Sequence, residues 1–285
     1  MVYLSRFTFP DSDREFDFFL SQKRTCYDSF YPFQVLSRRA LLELDFAPIT
    51  ILYGGNGSGK TTALNVIAEK IGAARDSAFN KSNFFPDYLA LCHAEAETPP
   101  GGCRIITSDD VFDYMLNLRS LNEGIDLRRD ALFQEYLSTK YSEFRLTSIE
   151  DYEKLKRNNN AKRLTQSKFV RKELMDNVRE YSNGESAFRY FTEKAGEDGL
   201  YLLDEPENSL SPALQAELVQ FLTDSVRFFG CQFVIATHSP FVLALKGAKI
   251  YDLDADPVDV KRWTELANVR AYRDFFKAHE REFER

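Results

Sequence analysis

Residues 54–61 read Gly54-Gly55-Asn56-Gly57-Ser58-Gly59-Lys60-Thr61, between an apolar run at 49–53 and a helical pattern over 61–71. The glycines allow backbone conformations that a side chain would forbid, so the chain can wrap an anion and aim its N–H groups inward. The helix that follows presents its positive end to the same anion. At this spacing Lys60 reaches the β- and γ-phosphates of a nucleotide, the Thr61 hydroxyl ligates Mg²⁺, and Thr62 extends the cradle. A run that is apolar on both faces belongs inside a sheet covered on both sides, so 49–53 predicts a buried strand.

Two further strand ends carry chemistry. Tyr201-Leu202-Leu203-Asp204-Glu205 is an apolar strand ending in two acids. Acids are costly at such a place without a cation, which Mg²⁺ supplies. Asp204 suits the metal's coordination shell, and Glu205 suits a general base that polarises an attacking water. Two solvated turn acids before Pro206 are the plainer alternative. Ala236-Thr237-His238-Ser239-Pro240 ends another apolar strand, where His238 can donate to a γ-phosphate or hold the attacking water. His93 and His279 have no comparable setting. Ser182-Asn183-Gly184-Glu185 precedes a helical pattern at 187–194. Ser182 is a good N-cap and Gly184 permits close backbone approach, which fits either a simple cap or a phosphate-binding helix end.

The rest of the pattern frames these motifs. Residues 3–10 alternate as a strand, and 15–20 are expected to pair with it across the turn at 10–13. Further strands are expected at 41–46, 88–92, 103–107, 199–203, 232–237 and 249–253, and helices at 212–229 and 270–284. Phe275 and Phe276 in the last helix read as core. From 109 to 180 the pattern turns to charged, helical periods. The expected fold is α/β: a mixed central sheet with N-terminal antiparallel strands and an inserted helical lobe. The expected domains are 1–108 with 199–285 as the nucleotide-binding core, and 109–198 as the inserted lobe.

The net charge of −7 rules out a whole-molecule positive field for nucleic acid. A basic run at 154–172 holds Lys154, Lys156, Arg157, Lys162, Arg163, Lys168, Arg171 and Lys172 without an acid; it reads as a phosphate-backbone contact or as a solvated helix face. None of Cys26, Cys92, Cys103 and Cys231 forms a Cys-x-x-Cys pair, so they are expected to be idle thiols in a reducing compartment. With no apolar leader and no run near 18 apolar residues, a cytoplasmic protein without a membrane partner is expected.

Taken in order, the motifs resemble the ABC-ATPase superfamily. Residues 54–61 match Walker A, Ser182-Asn183-Gly184-Glu185 the signature, Leu202-Leu203-Asp204-Glu205 Walker B, Asn208-Ser209-Leu210-Ser211 the D-loop, and His238 the switch histidine. The phrase from Asp204 to Pro212 is more similar to the bacterial SMC/RecF-like "AAA family" ATPases than to transporter subunits. The resemblance implies a P-loop NTPase with ABC-ATPase head architecture, ATP and Mg²⁺ as ligands, and a homodimer in which each signature closes on the ATP of the other copy. It implies that Glu205 is the catalytic base. The signature departs from the common pattern at Asn183 and Glu185. No Q-loop glutamine is recognisable; Asp109 or Asp110, at a strand end in about the right place, could substitute at the metal. Arg38 and Arg39 are candidates for the nucleotide edge. The stretch between Thr61 and Ser182 lacks sustained heptads, so a compact lobe is expected there in place of a long coiled coil.

The functional expectation is an ATP-hydrolysing dimer whose nucleotide state drives a conformational change, in DNA repair, mobile-element function or phage defence. DNA or a separately encoded effector is a candidate partner. The rival is a low-turnover, ATP-dependent scaffold for a separate nuclease or toxin effector; a transporter subunit is the third alternative.

Overall fold

The computed structural model describes residues 1–23, 26–141, 162–174 and 182–283. Its central sheet has the strand order β5-β6-β7-β3-β8-β9. These strands are β3 (Ile49–Tyr53), β5 (Cys103–Thr107), β6 (Leu200–Asp204), β7 (Gln232–Ala236), β8 (Lys249–Asp252) and β9 (Asp259–Val260). Pairing is parallel from β5 to β8, and β9 closes one edge antiparallel. Every residue of β3, β6 and β7 is buried, as their unbroken apolar runs require. A second, antiparallel sheet has the order β2-β1-β4, from β1 (Leu4–Thr8), β2 (Glu43–Asp45) and β4 (His93–Ala96). The mixed central sheet and the N-terminal antiparallel strands are thus both present.

One core joins the two sheets. It takes Leu4 and Phe7 from β1, Leu52 from β3, Leu202 from β6 and Val234 from β7. Helix α2 (Lys60–Ile71) adds Leu64, Val66 and Ile67, and α3 (Phe85–Leu91) adds Phe85 and Tyr88. A fully buried polar side chain ties the sheets together. Gln232 Oε1 accepts from Tyr3 N at 2.7 Å and Leu4 N at 2.9 Å, while its Nε2 donates to Leu4 O at 2.9 Å and Ala47 O at 3.2 Å. Its amide thereby satisfies backbone groups that the core would otherwise leave unpaired.

Three local expectations are corrected. Residues 15–20 do not pair with β1 but lie in helix α1 (Ser12–Ser21). Asp11 caps that helix by accepting from Arg14 N at 2.8 Å, and Glu15 is buried, accepting from Gln34 N and Ser37 Oγ; the cap outweighs the alternation. Residues 88–92 are not a strand either. Pro86 sits in the first turn of α3, where its fixed φ favours a helix, and the strand falls one step later as β4. Phe275 and Phe276 lie on α7 (Ala267–Ala278), but they are 58% and 53% exposed and are not core.

The chain divides into two compact units, residues 1–112 with 183–285, and Asp113–Ser182. The sequence pattern put these limits at 109 and 198. The first limit falls inside α4 (Ser108–Tyr141). The second moves because α6 (Asn183–Lys194) is held to the core unit: Tyr190 Oη and Lys194 Nζ both donate to Asp76 Oδ2, at 2.8 and 2.6 Å. Arg104 binds the other oxygen of Asp76 at 2.9 Å. In the smaller unit, Leu132 and Tyr136 of α4 pack with Phe169 and Val170 of α5 (Gln166–Glu173), whose Lys168, Arg171 and Lys172 are exposed. The basic residues Lys154, Lys156 and Arg157 lie outside the described residues.

Two stability measurements follow. Gln232→Leu keeps the volume but orphans buried N–H and C=O groups, so it should cost about 3 kcal/mol, read as a lower urea midpoint at unchanged slope. The partners of Asp76, led by Lys194, hold its carboxyl well below the usual carboxylate range. Its contribution is therefore present at neutral pH and lost as pH falls through the acidic range. Asp76→Asn should shrink the fall in Tm between about pH 5 and pH 2, below the ordinary carboxylate range; an undiminished fall would refute this role.

Candidate active site

The phosphate loop leaves β3 and enters α2 through Gly59, which holds φ +96°, a left-handed conformation that glycine adopts without strain. Gly54 has no room for a side chain, since a Cβ there would lie 2.5 Å from Ser58 Oγ. Gly55 N donates to Asp254 Oδ2 at 2.7 Å, so the loop after β8 buttresses the phosphate loop. Lys60 is buried, and its Nζ donates to Gly54 O at 2.6 Å and Gly55 O at 3.0 Å. Ser58 Oγ is buried and has no hydrogen-bond partner among the described residues. Residues 56–62 and Glu205 line a single cleft. Helix-end N–H groups, a buried lysine and an unpaired hydroxyl fit a polyphosphate.

Parallel register brings the acidic strand end to this cleft. Leu52 of β3 lies beside Ala236 of β7, and Ala236 lies beside Asp204 of β6. Thr61 Oγ1 consequently donates to Asp204 Oδ1 at 3.2 Å across 143 positions of sequence. Burial pushes the Asp204 carboxyl up to about 6, against the opposing hydrogen bond from Thr61. A hydroxyl and a carboxylate at one point are hard oxygen donors of the kind Mg²⁺ takes.

Glu205 stands at φ +48°, an uncommon conformation for a residue with a side chain. Its N–H still donates to Ala236 O at 2.9 Å, so it turns away from the sheet at the last ladder bond. Its carboxylate lies between two groups. Asn208 Nδ2 donates to Oε2 at 3.0 Å, and His238 Nδ1 is 3.5 Å from Oε1. His238 is itself held at both backbone groups: its N–H donates to Glu207 Oε1 at 3.1 Å, and its C=O accepts from Asn268 Nδ2 at 3.1 Å.

Gly184 lies near the start of α6, against residues 209–214 of the same unit. A Cβ there would meet Ser209 O at 2.9 Å and Leu214 Cδ1 at 3.0 Å. The close approach expected of Gly184 is thus made to the segment matched as the D-loop. Ser182, Asn183 and Glu185 are exposed.

Lys60, Thr61, Asp204, Glu205 and His238 are linked around the phosphate-loop cleft by these contacts. Asp110 is engaged elsewhere: it is buried, with Oδ1 accepting from Ser77 N at 2.7 Å and Oδ2 from Thr107 N at 2.6 Å and Thr107 Oγ1 at 2.9 Å. Asp109 is exposed. Arg38 donates to Gln34 Oε1 on the surface. Tyr31, whose hydroxyl donates to Thr62 Oγ1 at 3.1 Å, had no signal in the sequence. Nor did Asp254 and Asn268, because isolated polar residues far along the chain reveal partners only when folded. Nor did Glu207, because an acid beside a turn reads as solvated until the fold shows it buried.

A family model described as "AAA domain, putative AbiEii toxin, Type IV TA system" matches residues 117–244, which contain the signature, the acidic strand end and His238. The curated protein ea59 of Escherichia phage lambda is 34% identical over 106 residues, or 34% of this chain. The chain spans 20% of that relative's length. Among solved structures, the SMC head domain from Thermotoga maritima superposes with a TM-score of 0.38 at 11% identity, covering 92% of this chain and 99% of that one. The Smc head domain from Pyrococcus furiosus, bound to the C-terminal domain of ScpA, gives 0.37 at 12% identity, covering 83% and 95%. A dimeric ATP-binding cassette bound to ADP and Pi gives 0.36 at 14%, covering 80% and 92%. Over residues 117–244 the chain is thus similar to this AAA-domain family, and the motifs from the phosphate loop to His238 assemble around one cleft.

Proposed function

We propose that this protein binds ATP with Mg²⁺ and hydrolyses the γ-phosphate in a head-to-tail dimer, each signature acting on the nucleotide held by the other copy. The observation that carries the reading is the contact of Thr61 with Asp204 beside a cleft that Glu205 also lines. In this reading residues 54–62 wrap the phosphates with backbone N–H groups, and Lys60 leaves its two loop carbonyls to meet the β- and γ-phosphates. Thr61 and Asp204 hold Mg²⁺, which when bound neutralises charge on the phosphate oxygens. Glu205 takes a proton from the attacking water, oriented for this by Asn208 and His238. His238 also donates to the γ-phosphate. Ser182, Asn183, Gly184 and Glu185 bring a second helix end to that phosphate from the partner copy. Asp110 is a poor metal ligand here, because both its oxygens already accept backbone donors. The smaller unit, residues 113–182, is the element whose position the nucleotide would control.

The biological setting is narrower in proposal than the fold alone allows. The matched family is described as a putative toxin of a type IV toxin–antitoxin system, and the curated relative is a phage protein. Both favour a mobile-element or phage-defence role over DNA repair. The family description also keeps a second reading open, in which the protein is a slow, ATP-dependent scaffold for a separate effector. Phosphate release with and without duplex DNA separates the two: negligible release in both conditions favours the scaffold.

Two variants test the split site. Glu205→Gln should lower kcat at least about 100-fold and accumulate an ATP-bound dimer in light scattering; a variant that stays monomeric in saturating ATP and Mg²⁺ overturns the dimer. Gly184 is a poor probe of the partner copy, because any side chain there also disturbs Ser209 of its own chain. Ser182 is exposed and serves better. Ser182→Arg should retain nucleotide affinity within about threefold while abolishing dimerisation and turnover; full turnover in this variant would exclude a role in trans.

A further inference from the structure

The His238 ring works only if it stays beside Glu205, yet the ring itself makes a single 3.5 Å contact there. The order comes from its backbone. Glu207 is 7% exposed, and its Oε1 alone accepts three donors: Thr237 Oγ1 at 2.5 Å, His238 N at 3.1 Å and Ser239 N at 3.1 Å. Its Oε2 is buried with no hydrogen-bond partner among the described residues. A carboxylate in this setting is costly unless the donors it gathers are worth having. From the opposite side Asn268, near the start of α7, donates through Nδ2 to His238 O. Asn268 is fixed in turn, because its N–H donates to Tyr53 Oη at 3.1 Å, at the end of the strand that leads into the phosphate loop. The next residue is anchored too, since Ser239 Oγ donates to Gln215 Oε1 at 2.7 Å.

We propose that Glu207 and Asn268 are positioning residues that clamp the backbone of His238 from two sides and so hold its ring against Glu205. Neither residue lines the phosphate-loop cleft. The clamp crosses 31 positions of sequence to Glu207 and 30 to Asn268, and it connects the helix at Ala267–Ala278 to the phosphate-loop edge of the sheet. The inference rests on the hydrolysis reading for its effect on rate, but not for the geometry of the clamp.

Steady-state kinetics of Glu207→Ala, Glu207→Gln and Asn268→Ala, alone and combined with His238→Ala, test it. Released from the clamp, the ring drifts from Glu205, and Glu207→Ala should lose about 10- to 100-fold in kcat. The KM for ATP should stay within about threefold. Glu207→Gln should recover much of the loss, because its amide oxygen still accepts the three donors. Adding either alanine to His238→Ala should slow the enzyme no further. A multiplicative loss in the double variants, or a KM rise matching the fall in kcat, overturns the proposal. NMR provides an arm independent of turnover. The chain has three histidines, so the His238 ring signals can be assigned by their loss in His238→Ala. Asn268→Ala and Glu207→Ala should move those signals and leave those of His93 and His279 in place, while Glu207→Gln should move them less; unmoved His238 signals in both alanine variants refute the clamp. A wild-type protein without turnover would refute the hydrolysis reading, and the NMR result would still decide the clamp.

Discussion

Everything in the site depends on parallel pairing among β3, β7 and β6. Parallel strands end on the same side of a sheet, so the register Leu52–Ala236–Asp204 brings three separate strand ends to one edge. The phosphate loop leaves the first, Thr237 and His238 leave the second, and Asp204 and Glu205 leave the third. Ligands of open α/β sheets bind at the carboxyl ends of the strands for this reason. A shift of one residue in β6 would turn Asp204 to the opposite face and break its contact with Thr61.

Three acids stand at this edge, and the core around them makes each expensive. Asp204 shows it most directly: burial pushes its carboxyl up to about 6. Glu207 meets the same cost differently, by gathering three donors on one oxygen. Glu205 avoids it by turning away from the sheet through a positive φ, which leaves its carboxylate between Asn208 and His238 and open to the cleft. Three acids within four positions thus occupy three environments.

The start of α6 is built on another close contact. Without a side chain at Gly184, the helix can approach Ser209, whose own φ is +69°. Asp76 then holds the far end of the same helix through Tyr190 and Lys194. This explains why α6 belongs to the core unit, although the charged, helical character of residues 109–180 suggested an inserted lobe reaching to 198. Charge pattern reports exposure, whereas unit membership depends on which surface a helix buries.

The sequence alone determined the buried strands, the phosphate loop, the acids at 204 and 205 and the histidine at 238. Each is a local signal, since an apolar run, a glycine-rich turn or an acid at a strand end is visible within a few residues. Local pattern failed where two local signals competed. At 15–20, alternation suggested a strand while Asp11 capped a helix, and at 88–92 an apolar run masked the helix that starts at Pro86. At Phe275 and Phe276 it could not distinguish a buried face from an exposed one. Only the tertiary structure decided that Asp110 is spent on Ser77 and Thr107, that Asp254 supports Gly55, and that Glu207 and Asn268 grip His238. All but the Asp110–Thr107 bond join residues far apart in the chain. Single polar residues carry no mark of their partners, and the partners exist only once the sheet has brought the strand ends together.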